Sequence, residues 1–111
     1  MTAPDIPILQ PPPELTAASE DAFDALAAPH LTGAAPGLVI DLSEVSFITS
    51  AGLGRLVYVG RTLDERGATV ALAGGTRSVV KLIRTVGLDS VMPHFHTVEE
   101  AVEFVQDRSD P

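Results

Sequence analysis

The run from Val39 to Gly54, VIDLSEVSFITSAGLG, constrains the fold of this chain more than any other segment. A β-rich apolar stretch, Leu38–Leu42, passes through a short turn into Thr49-Ser50-Ala51-Gly52, where apolar residues begin to recur at helical spacing. The segment therefore joins a buried strand to a helix and sets two hydroxyls at the helix N-terminus. A first helical turn has unpaired N–H groups and the positive end of the helix dipole, so it favours both an ordinary cap and a phosphate group. On this evidence Ser50 is either a helix cap or a switch residue that carries phosphate.

The same pattern continues on both sides. Ile6–Leu9 reads as an edge strand, because Pro7 lacks the N–H that a central strand would need. Pro11-Pro12-Pro13 stops any regular element, and Thr16 can cap a helix to about Ala28 with Ala22, Phe23 and Leu26 toward the core. Pro29 to Gly37 reads as loop. After Ser50, Leu53, Leu56, Val57 and Gly60 form one helix face, and Gly67 ends that helix. Thr69–Ala73 is a second buried strand closed by Gly74-Gly75. Val79, Leu82, Ile83 and Val86 mark a third helix, which Gly87 stops. A short strand falls near Met92–Phe95. Thr97 and Glu100 then form a capping box for a last helix that buries Val98, Ala101, Val102 and Val105. Strands alternating with helices predict an α/β fold with a mostly parallel or mixed sheet of about four strands.

With 111 residues the chain suits one domain over 1–111, with a short N-terminal segment at 1–12 and a flexible tail at 106–111. No apolar run is long enough to insert in a membrane, no signal peptide opens the sequence, and there is no cysteine, so a cytoplasmic location is expected. The net charge of −8 disfavours direct DNA binding. That charge is uneven: seven acids and no Lys or Arg precede Arg55, whereas eight acids and all seven bases follow from there. Such polarity suits docking to a complementary protein surface, and equally suits a generally soluble acidic protein.

Enzyme readings fail on the residues available. His94 and His96 would share a strand face, but no cysteine or matched carboxylate is placed to complete a metal site. Gly52-Leu53-Gly54 and Gly74-Gly75 lack a nucleotide-binding fingerprint or a P-loop lysine. Ser50 lacks the G-x-S-x-G setting of a hydrolase nucleophile. The expectation is a protein that is not an enzyme and needs no cofactor of its own.

Over residues 38–105 the sequence resembles the STAS domain family, and most closely the bacterial anti-sigma-factor antagonists. The resemblance rests on Asp41 at the strand end, the S-x-G-L-G turn from Ser50 to Gly54, Gly87-Leu88 after the third helix, and the Thr97 box. A weaker echo is Pro13-Glu14-Leu15-Thr16, where the family often has a Gly-Glu-Leu-Asp turn. The family implies a STAS fold and partner switching. An unphosphorylated antagonist binds an anti-sigma factor that is also a serine kinase, phosphorylation of a serine matching Ser50 releases it, and a metal-dependent serine phosphatase resets it. Two departures stand out. Thr49 replaces the aspartate that often precedes the serine, and the N-terminal strand is shortened, which would leave a sheet edge open for a homodimer or another partner.

The partner surface expected from the resemblance is Thr49, Ser50, Ala51, Gly52, Leu53, Gly54, Arg55 and Tyr58, with Asp41 near the site. Thr49 is the expected cap or a hydrogen-bonding neighbour. Gly52 and Gly54 either admit another backbone or relieve packing on the sheet. Asp41 either orders the turn after its strand or tunes Ser50. Arg55, one turn into the helix, is placed for partner contact and for attracting phosphate; Tyr58 and Val59 lie off the buried stripe. Arg77, Lys81 and Arg84 form a basic stripe that is either a solvated face or a docking site. Rival roles within the family are an unphosphorylated STAS subunit packed on the ATPase of a lipid ABC transporter, and a scaffold or chemosensory STAS module.

Overall fold

The computed structural model describes residues 5–109. Its elements in chain order are β1 (Ile8–Leu9), β2 (Glu14–Leu15), α1 (Glu20–Leu31), β3 (Gly37–Asp41), β4 (Phe47–Ile48), α2 (Ser50–Glu65), β5 (Thr69–Ala73), α3 (Arg77–Thr85), β6 (His94–Phe95) and α4 (Val98–Ser109). Four strands form one parallel sheet in the order β1-β3-β5-β6, with Gly37 opposite Thr69 and Asp41 opposite Ala73 across its centre. β2 and β4 make a separate parallel pair. No described helix is long and apolar enough to cross a membrane.

Side chains alternate across a strand, so β3 and β5 feed two cores. Leu38 and Ile40 with Val70 and Leu72 face α1, α2 and α3, where Phe23, Leu56, Leu63, Val79 and Ile83 fill the layer. Val39, Ala71 and Ala73 turn the other way onto Ala101 and Val105 of α4. Covering on both faces explains why β3 reads as an unbroken apolar run instead of an alternating one. Small residues let α4 lie close to the sheet. At Gly37 an added Cβ would collide with the Val105 side chain and the Thr69 carbonyl.

Helix ends follow the sequence closely in three places. Thr76 caps α3 by accepting from the Val79 N–H at 3.2 Å. Gly87 takes the left-handed conformation (φ 77°) just past α3. The Thr97 and Glu100 side chains each accept the other's backbone N–H, at 3.2 and 3.1 Å.

Other expectations are corrected. Thr16 caps a 3-10 turn, Ala17–Ser19, with Ser19 closing a capping box, and α1 begins only at Glu20. That helix buries Phe23 and Ala27, one turn apart, while Ala22 and Leu26 are exposed. An alanine-rich helix has no sharp apolar stripe to read, so its buried face is set by what α2 presents. α1 also runs through Pro29 to Leu31; a proline in the last turn forfeits one backbone hydrogen bond without breaking the turns before it. On α2 the fully buried positions are Gly52, Leu56, Val59, Gly60 and Leu63, so Val59 is core, and Leu53 and Val57 are half-buried at its margin. Val86 is 52% exposed because α3 has already ended. The helix expected to give way to a tail at 106 continues to Ser109, whose hydroxyl donates to the Val105 carbonyl at 2.7 Å. β1 is a sheet edge, as its proline suggests; Met1–Pro4, where any further N-terminal strand would begin, lie outside the described residues.

The burial pattern of α1 yields a test. Phe23→Ala should cost about 3–5 kcal/mol, and Leu26→Ala within about 0.5 kcal/mol, both read from urea midpoints. Equal losses would place the helix face wrongly.

Candidate functional site

The start of α2 is built against a segment 34 residues earlier in the chain. Leu15 pairs with Ile48 across the β2–β4 ladder, and its carbonyl accepts the Thr49 N–H at 2.9 Å and the Thr49 hydroxyl at 3.3 Å. The Pro13 carbonyl accepts the Ser46 N–H at 2.8 Å. Thr49 has extended backbone (φ −97°, ψ 175°) and is the helix cap: its Oγ1 accepts from the Gly52 N–H at 3.4 Å, and its carbonyl accepts from the Leu53 N–H at 2.9 Å. The backbone that approaches Gly52 is the chain's own. A Cβ there would strike the Leu15 carbonyl, with the Leu15 Cβ 2.8 Å away. At Gly54 a Cβ would meet nothing within 4 Å.

Because Thr49 takes the cap, Ser50 is released from that role. It is the first residue of α2, exposed, and its hydroxyl has no hydrogen bond to another described residue. The N–H groups of Ser50 and Ala51 precede the first intrahelical bond and so remain free to meet an anion. No acid stands in the first turn of α2. The site therefore presents a neutral hydroxyl at the positive end of a 16-residue helix.

Arg55 does not stand ready beside Ser50. Its guanidinium turns onto α1, donating to Asp24 Oδ1 from Nη2 at 2.6 Å and from Nε at 2.9 Å, with Glu20 at 3.8 Å. It also lies 4.6 Å over the Tyr58 ring. These contacts tie α1 to α2 and spend the positive charge on two carboxylates. Tyr58 is 46% exposed. Phe47, 52% exposed in β4, is a large apolar side chain on the approach to Ser50 that sequence reasoning passed over. The alternation of exposed Phe47 with buried Ile48 was the available signal, hidden in a two-residue strand.

Asp41 is 8% exposed and orders the turn after β3. Its Oδ1 accepts the Ser43 N–H at 3.0 Å and its Oδ2 accepts from the Gln10 amide at 3.2 Å. Burial pushes this carboxyl up, but the Ser43 N–H, the Ser43 hydroxyl and the Gln10 amide outweigh it and hold the pKa below the ordinary 3.8. None of its hydrogen bonds reaches Ser50. His94 shares a 2.7 Å hydrogen bond between Nε2 and the Gly74 carbonyl, and no three His, Asp or Glu side chains among the described residues converge on a metal position.

This chain belongs to the STAS domain family, whose pattern it matches over residues 2–101. An anti-sigma-factor antagonist (STAS) domain protein from Planctomyces limnophilus has the same fold, with a TM-score of 0.73 and 23% identity over 83% of this chain and 80% of that one. The anti-sigma factor antagonist SpoIIAA in its unphosphorylated form superposes with a TM-score of 0.73 and 22% identity, covering 96% of this chain and 94% of its own. SpoIIAA, a Bacillus cell fate determinant, is also known in a phosphorylated form. A sulfate transporter family protein from Wolinella succinogenes reaches 0.77 at 13% identity, covering 93% and 86%. The fold is thus common to antagonists and transporter domains.

Two expectations follow from the geometry. Gly52→Ala should push Leu15 away, loosen the β2–β4 pair and cost about 1–3 kcal/mol, whereas Gly54→Ala should stabilise by up to about 1 kcal/mol; chemical denaturation separates them. The Asp41 contribution is complete above the unfolded-state pKa and is lost as pH falls through the lower folded-state value. Asp41→Asn should therefore lower stability at pH 7 and flatten the acid limb of the stability curve below about pH 4. An unchanged acid limb would refute that assignment.

Proposed function

We propose that this protein is an anti-sigma-factor antagonist of a cytoplasmic partner-switching pathway, with Ser50 as its reversible phosphorylation site. The observation that carries the reading is the division of labour at the start of α2: Thr49 holds the cap, and Ser50 offers an exposed, uncommitted hydroxyl. A serine needed as the cap would have its oxygen turned into the helix; this one faces outward.

In this reading the unphosphorylated protein binds an anti-sigma factor that is a serine kinase, through Thr49–Arg55 with Tyr58 and Phe47 as apolar anchors. The kinase brings ATP, so the antagonist is a substrate and not an enzyme. Ser50 Oγ attacks the γ-phosphorus, the bond to the ADP oxygen breaks, and the hydroxyl proton passes to a base of the kinase. The product adds about −1.5 to −2 charges and three acceptor oxygens at one point. The Ser50 and Ala51 N–H groups can hold those oxygens within the domain, whereas a kinase surface fitted to a neutral hydroxyl must desolvate a dianion. The complex separates, and a metal-dependent serine phosphatase hydrolyses the ester to restore Ser50 and inorganic phosphate. Thr49, where many antagonists have aspartate, keeps the first turn free of a carboxylate that would repel this phosphate.

The Ser50 variants test the reading against a cognate kinase. Ser50→Ala should bind about as tightly as wild type and resist release by ATP. Ser50→Asp should bind at least about tenfold more weakly, as a fixed negative charge loses about 1.4 kcal/mol or more at the interface. If both variants bind and release like wild type, Ser50 is not the switch. Transporter-type STAS domains share the fold and need no phosphate, so that outcome would favour a non-phosphorylated interface role.

A further inference from the structure

Arg77, Lys81 and Arg84 lie on successive turns of one exposed face of α3, and none has an ion-pair partner among the described residues. Three of the seven bases of the chain are thus gathered on a nine-residue helix that contains no acid. They border a surface groove of about 470 Å³, lined also by Gly75, Val80, Thr85 and His96. A second groove, of about 180 Å³, continues it past Gly74 to His94 and shares Gly75, Val80, Arg84 and His96 with the first. The trough so formed has an apolar wall at Val80, a glycine wall at 74–75 and a line of cations along one side.

From these features we infer that the α3 trough is a docking site for a short acidic segment of a partner protein, separate from the Ser50 surface. The cations span eight residues, about 10 Å of helix. Carboxylates spaced along an extended peptide match that length, so that each can meet one of the three. Nucleic acid is disfavoured because the whole chain carries −8, so a long polyanion would be repelled by the surface on either side of the trough. A short acidic peptide can stay within the trough, where three bases lie together and α3 carries no acid. The attraction is of the exposed kind, each pair weak and screened by salt, so binding depends on several pairs acting together.

The test uses the full chain, isotope-labelled, titrated with synthetic hexaglutamate and followed by amide chemical shifts at low salt. The shifts should concentrate on 74–85 and 94–96 and fade at about 0.5 M salt. Lys81→Glu with Arg84→Glu should weaken binding about tenfold or more, whereas Arg61→Glu with Arg108→Glu, an equal change in net charge elsewhere, should change it about twofold or less. Circular dichroism confirms that each variant is folded. Equal loss in both pairs, or shifts spread over the whole surface, would overturn the inference. So would inorganic phosphate reproducing the shifts, or oligothymidylate of matched charge binding more tightly. None of these outcomes depends on Ser50, so a failed α3 site and a failed phosphoswitch are told apart.

Discussion

The Leu15 carbonyl is where the start of α2, the candidate site, is assembled, because it accepts both the N–H and the hydroxyl of Thr49 and presses against Gly52. Those contacts orient the Thr49 side chain toward the Gly52 N–H, which fixes the first turn of α2. The geometry of Ser50 is a consequence: with the cap filled by its neighbour, it becomes the first helical residue with its oxygen in solvent. The requirement for glycine at 52 has the same origin, since any side chain would occupy the place of that carbonyl. Two segments far apart in sequence thus meet at one oxygen atom, and the sheet behind them keeps the junction in place.

Electrostatics divides the surface in a related way. The first turn of α2 holds no acid, and Arg55, the nearest base in that helix, is neutralised by Asp24 and Glu20 of α1. The hydroxyl sits at the positive end of the α2 dipole, where one phosphate would change the local charge strongly. Three cations with no ion-pair partner among the described residues lie together instead on α3. Three of the seven bases thus line one exposed face of α3, and the uncommitted Ser50 hydroxyl opens α2.

Much of this was legible in the sequence, and the failures have identifiable causes. The central strands, the Gly87 stop and the Thr97 box depend on local rules: two-sided burial, a left-handed position and reciprocal capping. The candidate serine was legible for the same reason, because hydroxyls before a helical pattern mark its N-terminus. The β2–β4 pair was not, as two-residue strands carry no periodicity and their partner lies more than thirty residues away. The commitment of Arg55 to α1 was hidden too; a side chain that spans two helices obeys their packing and not its own spacing. Of the expected face of α1 only Phe23 is buried, and Ala27 takes the place of Ala22 and Leu26, because alanine on every side leaves the choice to the neighbouring helix.

The most direct measurement is peptide mass spectrometry of the protein purified from its own host, with and without phosphatase treatment. Fragmentation of the peptide that contains Thr49 and Ser50 assigns the modified oxygen. The account expects one phosphate, on Ser50, removed by phosphatase, with Thr49 unmodified because its hydroxyl is engaged with Leu15 and Gly52. Phosphate on Thr49, or an unmodified peptide under every growth condition tested, would contradict it.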